Sequence, residues 1–352
     1  MPTPSLIGPL FVGPLDIVGD IHGEIDALRD LLKHLGYAET GEHPAGRRLV
    51  FIGDLTDRGP DSPAVAALVA DLVKRELAQC VLGNHELNLL REARKEGNGW
   101  HYEENHDLRD GKFTTARALA AEHRPALRGF LESLPLALER ADLRLVHAAW
   151  DPPSIAAVRS APLTALELYA VHDRAGIERA QSTGLAERAE VERDAYATHL
   201  KDPHFAMPLL PNEGALEELH QLSNPVRIIT SGIERVAQKP FFASGKWRMV
   251  ERIPWWDEYR ESTPVIIGHY WRWPTPAARD AHSRGEPDMF EGHAWHHWFG
   301  AGHNVFCVDF AVGARYRERV TGHRGQFECR LAAVRWPERE LVLDDGRGMA
   351  LE

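Results

Sequence analysis

Gly19-Asp20-Ile21-His22-Gly23 follows the apolar run Leu15–Val18, and the arrangement recurs twice. Gly53-Asp54-Leu55-Thr56-Asp57-Arg58-Gly59 follows Leu49–Ile52, and Gly83-Asn84-His85-Glu86 follows Gln79–Leu82. Short apolar runs bounded by glycine read as strands. Between the first two, Glu24–Leu35 sets Ile25, Leu28, Leu31, Leu32 and Leu35 on one helical face, with Gly36 as the stop. After the second, Ser62-Pro63 opens a helix as cap followed by proline, continued by Ala64–Leu77. Glu86–Lys95 is the third helix. A strand-loop-helix unit repeated three times predicts an α/β fold with a parallel sheet and crossover helices. Ligands of such sheets bind beyond the carboxyl ends of the strands. The three blocks, about 30 residues apart, therefore converge on one site.

The residue types say what that site holds. Asp20 and His22, two apart in a turn after a strand, suit one divalent ion. Asp54 ends the neighbouring strand, and its two carboxylate oxygens can bridge two ions. Asn84 offers an amide oxygen. His147, after Leu143–Val146, and His269, after Val265-Ile266-Ile267-Gly268, end strands in the same way and complete a shell for two cations. With no thiolate in the set, the expected metals are manganese first, then iron or zinc. A lone Asp-x-His is an ordinary solvated turn. Three such blocks in order, each ending a strand, are hard to explain as turns.

The blocks GDxHG, GDxxDRG and GNHE resemble the signature of the PPP-type, calcineurin-like metallophosphoesterases. That family includes the serine/threonine protein phosphatases and the bacterial symmetrical diadenosine tetraphosphate hydrolases. Val146-His147-Ala148-Ala149, Ile267-Gly268-His269 and Cys307-Val308-Asp309-Phe310-Ala311 extend the likeness to the bacterial branch, from about residue 15 to 345. The resemblance implies a four-layer α/β/β/α sandwich with a helical insertion, in one domain over 1–352. It implies hydrolysis of phosphoesters with two metal ions. Asp20 and His22 would hold the first ion, Asp54 would bridge, and Asn84, His147 and His269 would hold the second. His85 would protonate the leaving oxygen, Asp57 would orient its ring, and Arg58 would clamp phosphate oxygens. Arg272, in His269-Tyr270-Trp271-Arg272, is the candidate for the family's second phosphate arginine. The family has glycine after the histidine that matches His147. Here Ala148-Ala149-Trp150 follow, and the bulk of Trp150 is placed to narrow the site.

The rest of the chain bounds the function. Later runs, Val226–Thr230, Trp247–Ile253, Val305–Val308, Phe327–Val334 and Glu340–Leu343, read as strands. Gly97–Lys112 reads as an exposed polar loop in which His101 and His106 are solvated, and Pro152–Pro211 as a helical insertion. The net charge of −11, with no basic track, argues against long nucleic acids. No apolar run reaches the roughly 18 residues of a membrane span, and the first residues lack signal-peptide features. With three cysteines and no disulfide framework, a cytoplasmic protein is expected. The expected partner is a phosphorylated substrate: a small molecule, a nucleotide or a phosphoprotein. His293-Ala294-Trp295-His296-His297 has no recognised ligand spacing and reads as a loop. Trp255, Trp256, Trp271 and Trp273 either stack a base or pack the insertion, with packing preferred.

Overall fold

Alternate side chains along a strand face opposite ways, so an apolar strand with both faces covered serves two cores at once. A computed structural model, describing residues 5–104, 107, 113, 116–283, 285–323 and 325–352, places such strands at its centre. In chain order the strands are β1 (Ile7–Pro9), β2 (Leu15–Val18), β3 (Arg48–Phe51), β4 (Ala78–Cys80), β5 (Ala137–Arg140), β6 (Leu143–Val146) and β7 (Glu234–Ala243). They continue with β8 (Lys246–Arg252), β9 (Val265–Ile267), β10 (Val305–Cys307), β11 (Ala332–Trp336), β12 (Glu340–Leu343) and β13 (Gly348–Ala350). The helices are α1 (Ile25–Leu35), α2 (Ser62–Lys74), α3 (Asn84–Leu90), α4 (Arg124–Glu132), α5 (Pro152–Arg159) and α6 (Ala165–Ser182). After them come α7 (Leu185–Ala195), α8 (Pro211–Leu222), α9 (Pro225–Ser231), α10 (Pro276–His282) and α11 (Arg315–Val320).

Two sheets result, ordered β13-β12-β11-β2-β3-β4 and β1-β5-β6-β9-β10, with β7 and β8 as a separate hairpin. Leu15, Ile17, Val50 and Ile52 of the first sheet meet Leu143, Leu145, Ile266 and Phe306 of the second in one buried cluster. Their neighbours Val18 and Phe51 face outward into the cluster of Leu28, Leu31, Val65 and Val69, from α1 and α2. Val146, Val265 and Ile267 likewise join Ile155, Val158 and Val226 of the later helices. The result is an α/β/β/α sandwich, two facing sheets with helices on both outer sides. β2, β3 and β4 are parallel as expected, but β11 joins β2 antiparallel, so the sheet is mixed.

Several sequence expectations are corrected. Val226–Thr230 is helix α9 rather than a strand, capped by Asn224, whose side chain accepts from Val226 N and Arg227 N. Its residues are buried almost throughout, and a short buried helix has the same apolar run as a buried strand. The cap of α2 is Asp61, which accepts from Ala64 N at 3.0 Å. Ser62 instead accepts from Asp57 N at 2.9 Å, inside the second block. The run Phe327–Val334 pairs as a strand only from Ala332, and β1, β5, β7 and β13 are additional. The stretch 97–112 is not simply an exposed loop: Asn98 and Trp100 are fully buried, and Asp107 accepts from Gly97 N and Gly99 N. His101 is half-buried, and His106 lies outside the described residues. Among the described residues no helix is long and apolar enough to cross a membrane. Cys80, Cys307 and Cys329 are free and buried.

Candidate metal centre

The carboxyl ends of β2, β3 and β4 on one sheet and of β6 and β9 on the other meet at one place. Two glycines permit the approach. A Cβ on Gly19, after β2, would lie 2.3 Å from Val308 O, and one on Gly268, after β9, would lie 2.1 Å from Asp20 Oδ1. The turns themselves are strained. His22, Asp54, Asp57, Arg58 and His269 all have φ between 47° and 75°, in the left-handed region. Each non-glycine residue there costs on the order of 1 kcal/mol or more, and such strain gathers where side chains must be aimed.

Backbone carbonyls fix the histidine rings. His22 Nδ1 lies 3.0 Å from Thr56 O and His147 Nδ1 2.8 Å from Ile52 O, so each ring keeps its Nε2 lone pair for the interior. His147 Nε2 lies 3.2 Å from Asn84 Oδ1 and 3.3 Å from Asp54 Oδ1, and His269 Nδ1 lies 2.9 Å from the same Asn84 oxygen. His22 Nε2 lies 3.7 Å from Asp54 Oδ2 and 3.9 Å from Asp20 Oδ2. These separations are those of neighbouring donors around a shared cation. The set holds oxygen and imidazole nitrogen and no thiolate, which fits hard to borderline divalent ions.

The electrostatics agree. Burial, with Asp309 and Asp54 adding repulsion, pushes the Asp20 carboxyl well above its usual range. Burial raises Asp54 too, but the neighbouring imidazoles, His147 foremost, outweigh it and hold Asp54 well below. Burial, then Arg58, pushes His22 well down, and burial, then Arg252, does the same to His269. Burial lowers His147 too, but Asp54 outweighs it and raises that imidazole; crowded carboxylates, and imidazoles pushed down as at His22 and His269, are what a cation rewards.

Beside this cluster, His85 Nδ1 lies 2.5 Å from Asp57 Oδ2, and its Nε2 faces Arg58 Nη2 at 2.9 Å. Arg58 also reaches His22 Nε2 at 2.7 Å, and its guanidinium stands 5.1 Å from the Trp271 ring centre. Trp100 Nε1 donates to the other Asp57 oxygen at 2.7 Å. Burial raises Asp57, while the His85 and Trp100 hydrogen bonds pull it back. Glu86 accepts from Asp54 N, Leu55 N and Thr56 N and so ties down the bridging loop.

The expected residues Asp20, His22, Asp54, Asp57, Arg58, Asn84, His85, His147 and His269 are thus brought together. Arg272 is not. Its side chain is 1% exposed, and its Nη2 donates to Ala294 O and His297 O among Phe290, Phe299 and Phe306. Burial pushes it down to about 10. The histidine-rich stretch thereby serves as Arg272's acceptor. Trp150 is also elsewhere, buried beneath the Arg144 guanidinium, and does not narrow the site. Sequence reading missed Glu86, Trp100, Asp309 and Arg252. Glu86 stood within a quoted block, whereas Trp100 and Arg252 carried no motif.

Outside the cluster lies a cavity of about 650 Å³, lined on the metal side by Asp54, Asn84, His85 and His269. Arg58, Arg91, Arg227, Arg248, Arg252 and Arg279 also line it, with Tyr169, Tyr270, Trp271 and Trp273. The four tryptophans therefore divide, since Trp255 and Trp256 are buried in the core.

Residues 13–154 match the family model of the calcineurin-like phosphoesterases. That range contains every expected ligand except His269. The asymmetrical bis(5'-nucleosyl)-tetraphosphatase PrpE of Oceanobacillus iheyensis is 49% identical over 80 residues, 22% of this chain and 32% of that protein. The enzyme of that name from Geobacillus sp. is 50% identical over 80 residues, 22% of this chain and 33% of its own length. The chain thus spans about a third of the length of these curated relatives. The crystal structure of a cold-active protein-tyrosine phosphatase from a psychrophilic Shewanella covers 100% of this chain and 83% of its own, at 15% identity and a TM-score of 0.49.

Proposed function

We propose that the chain hydrolyses phosphoester or phosphoanhydride bonds with two divalent cations held by Asp20, His22, Asp54, Asn84, His147 and His269. The observation that carries the reading is the crowding of those donor atoms beside the His85–Asp57 pair. The ions, when bound, supply an acidified water and offset phosphate charge. The chain does the rest. Arg58 presents a planar fork to the phosphate oxygens. His85 Nε2 gives a proton to the leaving oxygen, and Asp57 fixes the tautomer through Nδ1. Arg252, which lines the cavity and acts electrostatically on His269, takes the second phosphate-binding place first assigned to Arg272. The donor set favours manganese, with iron or zinc as substitutes.

For the substrate we propose a dinucleoside polyphosphate. The walled cavity with aromatic faces supports a small molecule over a phosphoprotein, which needs an open groove. The named activity of the curated relatives points the same way. All ligand positions and His85 are filled, which weighs against a non-catalytic scaffold. Metal analysis of the purified protein, with nucleotide products from diadenosine tetraphosphate and phosphate release from a phosphoserine peptide under manganese, tests the reading. Two metals per chain and turnover of the nucleotide are expected. Product identity, two ADP or ATP with AMP, separates symmetrical from asymmetrical cleavage. Turnover of the peptide alone would overturn the substrate assignment.

A further inference from the structure

Strand β8 runs along the cavity, and its alternation is legible in the residues it contributes. Arg248, Val250 and Arg252 line the cavity, while Met249 between them is buried with Met207 and Leu210 on the other face. Residues four apart on a strand are about 13 Å apart, on the same side. Arg252 is the end near the metal ligands, its guanidinium 5.7 Å from the ring centre of Tyr270, the neighbour of His269. Arg248 is the far end.

Arg248 is, with Arg58 and Arg91, one of the cavity arginines that make no ion pair among the described residues. It is half-buried, and its Nε donates to Ala243 O at 3.3 Å. Among the described residues it makes no ion pair within 4.0 Å, unlike Arg227 with Asp173 at 2.7 Å and Arg279 with Asp288 at 3.2 Å. Burial pushes it down; Glu217, Glu234 and Glu286 act on it in the opposite sense, and Arg252 adds to the lowering. Of those acids, Glu234 faces Arg252 at 4.0 Å, and neither Glu217 nor Glu286 comes within 4.0 Å of Arg248. An enclosed guanidinium without a carboxylate against it lacks the anion that would repay its desolvation.

We infer that Arg248 and Arg252 form a phosphate track leading away from the metal centre, and that Arg248 binds a phosphate of a linear polyphosphate beyond the one being attacked. The inference rests on the phosphohydrolase reading above and adds chain-length selectivity to it. A monoester has nothing to place at Arg248. A polyphosphate fills both positions, and Trp271 and Trp273 in the same cavity offer ring faces to a base.

The test compares the manganese-loaded protein with Arg248→Gln and Arg248→Lys, on diadenosine tetraphosphate and on p-nitrophenyl phosphate. Arg248→Gln is expected to lower the ratio of kcat/KM between the two substrates at least tenfold, mainly through KM, with Arg248→Lys recovering part of it. A binding measurement stands beside it: inorganic tripolyphosphate should raise the melting temperature of the unaltered protein more than orthophosphate does, and Arg248→Gln should erase the difference. That arm also separates recognition of the bare polyphosphate from recognition of the nucleoside. An unchanged ratio together with an unchanged tripolyphosphate shift overturns the track while leaving the hydrolase reading in place. Failure of the unaltered protein to cleave either substrate overturns the hydrolase reading itself.

Discussion

The strand-end loops of residues 13–154 and the cavity wall contributed by α6, α8 and the β7–β8 hairpin do different work by different means. In the loops, position is enforced by the backbone. Four site residues, His22, Asp54, Asp57 and Arg58, sit at positive φ, glycines admit contacts that a Cβ would block, and carbonyls lock the imidazole tautomers. In the wall, position is set by which face of a strand or helix a side chain happens to occupy, as with Arg248 and Arg252 on β8. The first kind of site tolerates almost no substitution, because ligands, turns and tautomers are coupled. The second tunes affinity and can lose a member without collapse.

The largest effect should come from the residue that most loops share. Asp54 approaches His22, His85 and His147 and accepts from His85 N. Asp54→Asn is expected to strip both metals and take activity to background, a greater loss than the roughly 10²–10⁴-fold of removing a proton donor. Elemental analysis checks it, and two metals retained by that variant would refute the bridging role. Chelation of the unaltered protein should mimic it, with manganese restoring turnover.

His85→Ala comes next. The ring contacts Asp57 and Arg58, so its loss should leave metal content near normal and lower kcat by about 10²–10⁴-fold. Simultaneous loss of metal would make His85 a ligand rather than an acid. His22–Asp54–His85 also forms a compact donor group, which gives that outcome a physical basis.

These two effects belong to what was legible in the sequence. A cluster carried by short turns is local: Asp20 with His22, Asp54 with Asp57 and Arg58, Asn84 with His85 are each placed within a few residues, and strand ends bring them together. That His147 and His269 join the cluster was legible because they too follow strands directly. The remainder depended on tertiary placement. Nothing near Trp100 announces that its indole reaches Asp57, 43 residues away. Arg272 was misplaced because sequence proximity to His269 is no guide to direction after a left-handed turn. The residue at φ 69° sends the chain so that Arg272 points among Phe290, Phe299 and Phe306. The strand expected at Val226–Thr230 failed because near-complete burial erases the periodicity that separates helix from strand.

Trp100→Phe probes a residue of the second kind acting on the first. It removes one hydrogen bond to a carboxylate, worth roughly 1.5–3 kcal/mol, and so about ten- to a hundredfold in kcat if all of it holds His85 in place. The pH profile distinguishes positioning from general damage. The indole N–H favours the ionised form of Asp57, so its removal should raise that pKa further and move the acidic limb of kcat/KM to higher pH. A uniform fall in rate with no displacement of the limb would reduce Trp100 to packing.

The smallest expected effect on catalysis is at Arg272, and it bears most directly on the contrast between the two regions. Arg272→Met keeps length and apolar bulk while leaving the carbonyls of Ala294 and His297 without their donor. Each unpaired buried carbonyl costs about 1–3 kcal/mol. Part of that is returned, because Nε and Nη1 of Arg272 are buried without a partner among the described residues and the charge no longer has to be desolvated. A net loss of about 1–2 kcal/mol, read from the urea midpoint, is expected on that balance. The KM for phosphorylated substrates should not change, because the guanidinium faces carbonyls and aromatic rings rather than the cavity. A raised KM without loss of stability would return Arg272 to the phosphate site and displace Arg252 from it.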